Sequence, residues 1–140
     1  MKVHLTRRYH FAAAHRLHTP MLTDAVNRET YGKCNYPHGH GHNYALEVTV
    51  SGPIAPVTGM VCDLAALDAV ISREILSHFD HANLNQLEEF AETVPTTENL
   101  VIRIQQILSR IALPARLEGV RVEETANNSC EYPGASHARR

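Results

Sequence analysis

Residues 32–50 read GKCNYPHGHGHNYALEVTV and hold three histidines at alternate positions, His38, His40 and His42, just after a cysteine, Cys34. Imidazole is the commonest protein ligand for a metal ion and titrates near neutral pH. A thiol becomes a base or nucleophile when its surroundings lower its pKa. In a strand, residues two apart point the same way, so His40 and His42 can face one ion, and His38 can continue the row. A zinc site with one open position takes three protein ligands. The best candidate for a ligand from a second strand is His15, on the same face as Phe11 and Leu17. The alternative is a flexible His-Gly-His-Gly-His loop with adventitious metal affinity. Cys34 likewise has two readings, a reactive thiol beside Lys33 or a buried structural one.

Two further places carry acid–base chemistry. Asp80 and His81 are adjacent, and a carboxylate that orients an imidazole is a standard proton-transfer pair. The same two residues can equally cap a turn. Glu123 and Glu124 end a strand-like run, so one of them must point inward by alternation. An inward carboxylate without a cationic partner is costly, which a ligand with paired N–H donors would explain. Cys62 and Cys130 read as packing residues. Three cysteines, an odd number, argue against a disulfide framework.

The elements that must hold these residues follow from periodicity. Residues 2–18 alternate as a strand, with Tyr9, Phe11, Ala13, His15 and Leu17 on one face. Residues 19–36 read as a loop with a short helix over 24–29. A second strand runs from about His42 to Ser51 and ends at Gly52-Pro53. Asp63 then caps a helix with Leu64, Leu67, Val70, Ile71 and Ile75 at helical spacing. Residues 80–95 read as mostly irregular. A second helix opens with a Thr-x-x-Asn or Thr-Glu cap, presents Leu100, Ile104 and Leu108, and ends at Pro114. A third strand covers RLEGVRVEETANN, and a turn at Asn127-Asn128 leads to a last strand over Cys130–Tyr132. The order predicts an α+β domain in which a four-stranded antiparallel sheet carries two helices on one face, with residues 1–140 as one domain. Open sheet edges predict a homo-oligomer.

Composition bounds the function. The chain has 140 residues, 44% apolar, with a formal net charge of −2. No basic stripe of the kind a nucleic-acid binder needs is present. No apolar run approaches a membrane span of roughly 18 residues. The N-terminal residues lack a secretory apolar stretch, so a cytoplasmic protein is expected.

Taken together, FAAAHRL, GKCNYPHGHGHNY, TGMVCDLAALDAVI, DHANLN, PTTENL and VEETANN resemble the 6-pyruvoyltetrahydropterin synthase / 6-carboxytetrahydropterin synthase family, in that family's order and over nearly the whole chain. The resemblance implies the tunnelling fold, in which sheets of several subunits form a barrel, usually as a hexamer of two trimers with interfacial sites. It implies 7,8-dihydroneopterin triphosphate as substrate, and zinc held by His15, His40 and His42. Cys34 would be the proton-abstracting base, and Asp80 with His81 the second acid–base pair. Glu124 would anchor the amino-pyrimidine edge of the pterin, and Thr96, Thr97 and Glu98 would line its pocket. Arg16, Arg28 and Lys33 are candidates for the triphosphate that the resemblance leaves unassigned.

The family's pyruvoyl-forming members resemble C-x5-H-G-H and its carboxy-forming, queuosine-route members C-x3-H-G-H. CNYPHGHGH satisfies both. HGHNY leads straight into the strand, so His40 and His42 align as the ligands, with the pyruvoyl-type spacing, and His38 is extra. The carboxy product is the alternative. A non-catalytic zinc-binding oligomeric scaffold, or an aldolase acting on unphosphorylated dihydroneopterin, are readings of other kinds.

Overall fold

The computed structural model describes residues 1–133; the end of the expected 1–140 unit lies outside the described residues. Two 14-residue strands, β1 (Lys2–His15) and β2 (His40–Pro53), pair antiparallel along their full length. The sheet order is β3-β1-β2-β4-β5, with β3 at Ala82–Asn83, β4 at Arg116–Thr125 and β5 at Asn128–Pro133. It has five strands where the sequence predicts four. The extra one, β3, is two residues long and parallel to β1 at Ala13 and Ala14, too short to leave a periodic signal. The final turn lies at Ala126–Asn127, one residue earlier than expected, so that β5 begins at Asn128.

One face of the sheet carries the core. Phe11 stacks on Tyr44 with centroids 5.1 Å apart, and Leu46, Val48, Val50, Val120 and Val122 continue the apolar surface. Two helical segments cover it. α2 (Leu64–Ile71) runs through a π-helical stretch, Ser72–Leu76, into α3 (Ser77–Phe79), burying Leu67, Ile71, Ile75 and Phe79. α4 (Thr97–Ser109) buries Leu100, Ile104 and Leu108 at i, i+4 spacing. Both begin where expected. The Asp63 carboxylate accepts from the amides of Ala65 and Ala66, and Thr96 Oγ1 accepts from Asn99, the Thr-x-x-Asn cap. Each fully buried Leu or Ile contributes about 1.5–3 kcal/mol by leaving water.

The chain between β1 and β2 builds the wall beside the sheet. α1 (Asp24–Tyr31) and a 3-10 turn (Gly32–Asn35) fill it. β1 stops at His15, three residues short of the prediction, because side-chain amides replace the ladder there. Asn85 binds both backbone polar groups of Arg16, and Asn35 Nδ2 donates to Leu17 O. β2 starts at His40, two residues early. Gly39 makes this possible: its φ is +76°, and a Cβ there would lie 3.1 Å from the carbonyl oxygen of His15.

Candidate active site

The register sets the histidines. His15 pairs directly with His40, and Ala13 pairs with His42. By alternation all three imidazoles stand on the helix-bearing face at one end of the sheet. One ring nitrogen from each lies within 4.8 Å of the others. His15 is fully buried, and its Nε2 sits 3.2 Å from His40 Nε2. On its other side, His15 Nδ1 donates to Pro95 O at 2.8 Å, which turns Nε2 inward with its lone pair free. Burial pushes the pKa of His15 down, and that of His42 likewise, so both favour the neutral form that ligates.

These residues fit a metal ion. His40 Nδ1 and His42 Nε2 are buried polar atoms without a hydrogen-bond partner, and buried polar groups rarely remain so. Three imidazoles from two rigid strands form a donor set suited to a borderline dication with a position to spare. His38 stands apart: it is exposed, its ring 5.5 Å from that of Tyr36.

The inward member of the Glu pair is Glu124. Its Oε1 lies 3.4 Å from His15 Nε2 and 3.5 Å from His42 Nε2, and its Oε2 accepts from Asn128 Nδ2. Glu123 turns to the opposite face, to Arg8 and Arg121. Alternation predicted that one of Glu123 and Glu124 points inward, and the resemblance singled out Glu124; neither placed it against the imidazoles, since the cross-strand geometry of β2 and β4 has no signature in either strand alone.

Cys34 lies in the 3-10 turn, half-buried, with its backbone carbonyl tied to Leu17 N at 2.8 Å. Burial raises its pKa, and the Glu124 carboxylate raises it further. In the protein alone, therefore, the thiol is protonated, opposite to the lowered pKa expected beside a metal and Lys33. Cys34, His40 and His42 line one cleft of about 960 Å³, with Arg16, Arg28 and Lys33 on its walls. His18, which no sequence argument singled out, lines it too.

Asp80 and His81 form the pair that adjacency suggested. Asp80 Oδ2 lies 3.1 Å from His81 Nδ1, and Oδ1 accepts from Ala12 N at 2.9 Å. The Ala12 amide, and then the imidazole, hold the Asp80 carboxyl below its ordinary pKa. His81 adopts φ +63°, a conformation non-glycine residues seldom take, and is 83% exposed. The pair flanks β3, and His81 lines a second, shallower groove with Ala12, Asn43 and Ala82, which shares His42 with the cleft of Cys34; neither Asp80 nor His81 lines that cleft.

Of the three α4 residues expected to line a pocket, Thr96 spends its hydroxyl on the helix cap. Thr97 Oγ1 is buried without a partner, and Glu98 is exposed.

Residues 4–135 match the family model described as 6-pyruvoyl tetrahydropterin synthase. The 6-pyruvoyl tetrahydrobiopterin synthase of Drosophila melanogaster is 48% identical over 132 residues, 93% of this chain and 79% of that protein. A structure of Caenorhabditis elegans 6-pyruvoyl tetrahydropterin synthase superposes with a TM-score of 0.88 at 43% identity, covering 96% of this chain and 97% of that one. The 6-carboxy-5,6,7,8-tetrahydropterin synthase of Bacillus subtilis is 26% identical over 136 residues, 91% of this chain and 83% of that protein.

Proposed function

The chain belongs to the 6-pyruvoyl tetrahydropterin synthase family, and from that premise we propose that it is a zinc-dependent lyase. It converts 7,8-dihydroneopterin triphosphate to 6-pyruvoyl-tetrahydropterin with loss of triphosphate. The observation that carries this reading is the convergence of His15, His40 and His42 on one point, in a chain so close to pyruvoyl-forming synthases.

His15, His40 and His42 hold the ion. When bound, zinc supplies Lewis acidity to the side-chain hydroxyls of the substrate and positive charge near Cys34. Cys34, on the wall of the same cleft, takes the proton from the substrate side chain. Glu124, steadied by Asn128, accepts from the N–H donors of the pterin ring. Thr97, with Thr96 and Glu98 beside it at the start of α4, lines the pterin end. Asp80 fixes the Nδ1 side of His81, so that Nε2 exchanges protons with the substrate.

In this reading the Asp80–His81 pair acts in the cleft of a neighbouring copy, and the enzyme is a homo-hexamer of two trimers. The exposure of His81 and its place next to the edge strand β3 support that arrangement. A cytoplasmic location agrees with three free cysteines. The pyruvoyl product is supported by the histidine cage itself, which uses His40 and leaves His38 outside, so the working Cys-to-His spacing is the longer one.

Mass spectrometry of the product formed from dihydroneopterin triphosphate with zinc present tests the proposal. A pyruvoyl mass is expected. A carboxy mass would move the chain to the queuosine route, and no product from a zinc-loaded protein would overturn the enzyme. Cys34→Ala should abolish turnover while zinc stays bound, which a non-catalytic scaffold would not predict.

A further inference from the structure

We propose that Asn99, in the first turn of α4, is a positioning residue for the metal centre: it holds the Val94–Pro95 turn so that the Pro95 carbonyl fixes the His15 ring. The proposal rests on the reading of His15, His40 and His42 as zinc ligands. It starts from the chemistry of a carbonyl oxygen, which accepts and never donates. Pro95 O lies 2.8 Å from His15 Nδ1, so the ring carries its proton there and turns a bare Nε2 toward His40. The fully buried Tyr44 hydroxyl also faces His15 Nδ1, but at 3.4 Å, and leaves the carbonyl to set the tautomer. A ligating histidine whose far nitrogen is held in this way keeps its ring orientation and gains basicity.

The start of α4 aims that carbonyl. Val94 O accepts from Thr96 N at 2.8 Å, an i to i+2 bond that closes a tight turn centred on Pro95, whose own ring restricts φ there. The same oxygen accepts from Asn99 Nδ2 at 2.8 Å. In a capping box, the side chain of the third helical residue accepts from the amide of the cap residue. Here the amide of the cap residue Thr96 goes to Val94 O instead, and Asn99 serves as a second donor to that atom. The Asn99 amide meanwhile donates to Thr96 Oγ1 at 3.2 Å. Asn99 thereby joins turn and cap into one unit. Few other side chains do so: among the described residues two side-chain hydrogen bonds reach the backbone of residues 91–95, that of Asn99 to Val94 and that of His15 to Pro95. Residues 91–93, just before the turn, are exposed. The position calls for an amide, since a carboxylate would set acceptor against acceptor.

Two variants of the full chain separate positioning from helix stability. Asn99→Ala has the higher helix propensity, and Asn99→Asp, nearly the same shape, suits the positive end of the helix. Both keep α4, which circular dichroism checks, and both lack the donor. Competition against a zinc chelator should show zinc held about tenfold more weakly in each variant than in wild type. The cobalt-substituted variants should show visible bands shifted from those of cobalt-substituted wild type, because the His15 ring meets the ion at another angle. Ser109→Ala, at the far end of α4, should change neither readout. Equal zinc affinity and an unchanged cobalt spectrum in both Asn99 variants, with α4 intact, overturn the role of Asn99 and leave the zinc lyase reading standing. Weakened zinc binding in a protein whose wild type yields no product from the phosphorylated pterin upholds Asn99 and overturns the lyase. A wild type that takes up no zinc overturns both.

Discussion

At the scale of single residues, the site is a contest between burial and charge. His15 is the imidazole with no exposure, and burial lowers its pKa before the Pro95 contact raises it part of the way back. A lowered histidine pKa means that the unfolded chain binds the proton more readily. The stability due to neutral His15 is therefore complete above its ordinary value of 6.5 and falls as pH drops below it. Melting curves of the metal-free protein at pH 5.5 and 7.5 should differ in that direction, and His15→Gln should shrink the difference. His15→Ala should also strip zinc from the purified protein by metal analysis, whereas His38→Ala should leave it in place. Glu124 acts on the thiol from the opposite side. Its charge helps to raise the pKa of Cys34, so Glu124→Gln should speed alkylation of Cys34 at a fixed pH below the thiol's pKa.

At the scale of elements, one clamp ties α2 to the sheet. Arg7 makes a two-pronged contact with Asp68, at 3.0 and 2.8 Å, and Tyr9 Oη donates to the same carboxylate at 2.8 Å. The Arg7 contact, then that of Tyr9, brings the Asp68 pKa down to about 2. Sign follows from the depressed value: the clamp is fully present above the ordinary 3.8 and is lost as pH falls through about 2. Asp68→Asn should thus lower the melting temperature at pH 6 and leave it little changed at pH 2. Ile104→Ala, in the buried stripe of α4, should cost about 2–5 kcal/mol in denaturant unfolding. The same elements show what the sequence can express. β1, β2, both capped helices and β4 were legible because alternation, i, i+4 spacing and cap chemistry are local. The early end of β1 was not, because it depends on the amides of Asn35 and Asn85, one of them far along the chain. β3 left no trace, being two residues held only by β1. Cys34, His40 and His42 were legible from their own short stretch. The wall role of His18 was not, since its partner Asn35 is set by the fold.

At the scale of the whole molecule, the separation of Asp80–His81 from the Cys34 cleft predicts complementation between copies. Cys34→Ala and His81→Ala variants, each inactive alone, should regain activity when mixed and reassembled, to roughly a quarter of the wild-type level if subunits exchange at random. A mixture that stays inactive would place both residues' work within one chain. Light scattering of the assembled protein would fix how many copies take part. The two rims of the sheet are unlike: a two-residue parallel strand closes one, a six-residue antiparallel strand the other. Copies that join one rim to the other, unlike rim of the next copy meet nose to tail, with no twofold axis between them. Such a row either bends round until its first member meets its last or lengthens without limit, so the curvature of a single sheet separates a soluble ring from a fibre.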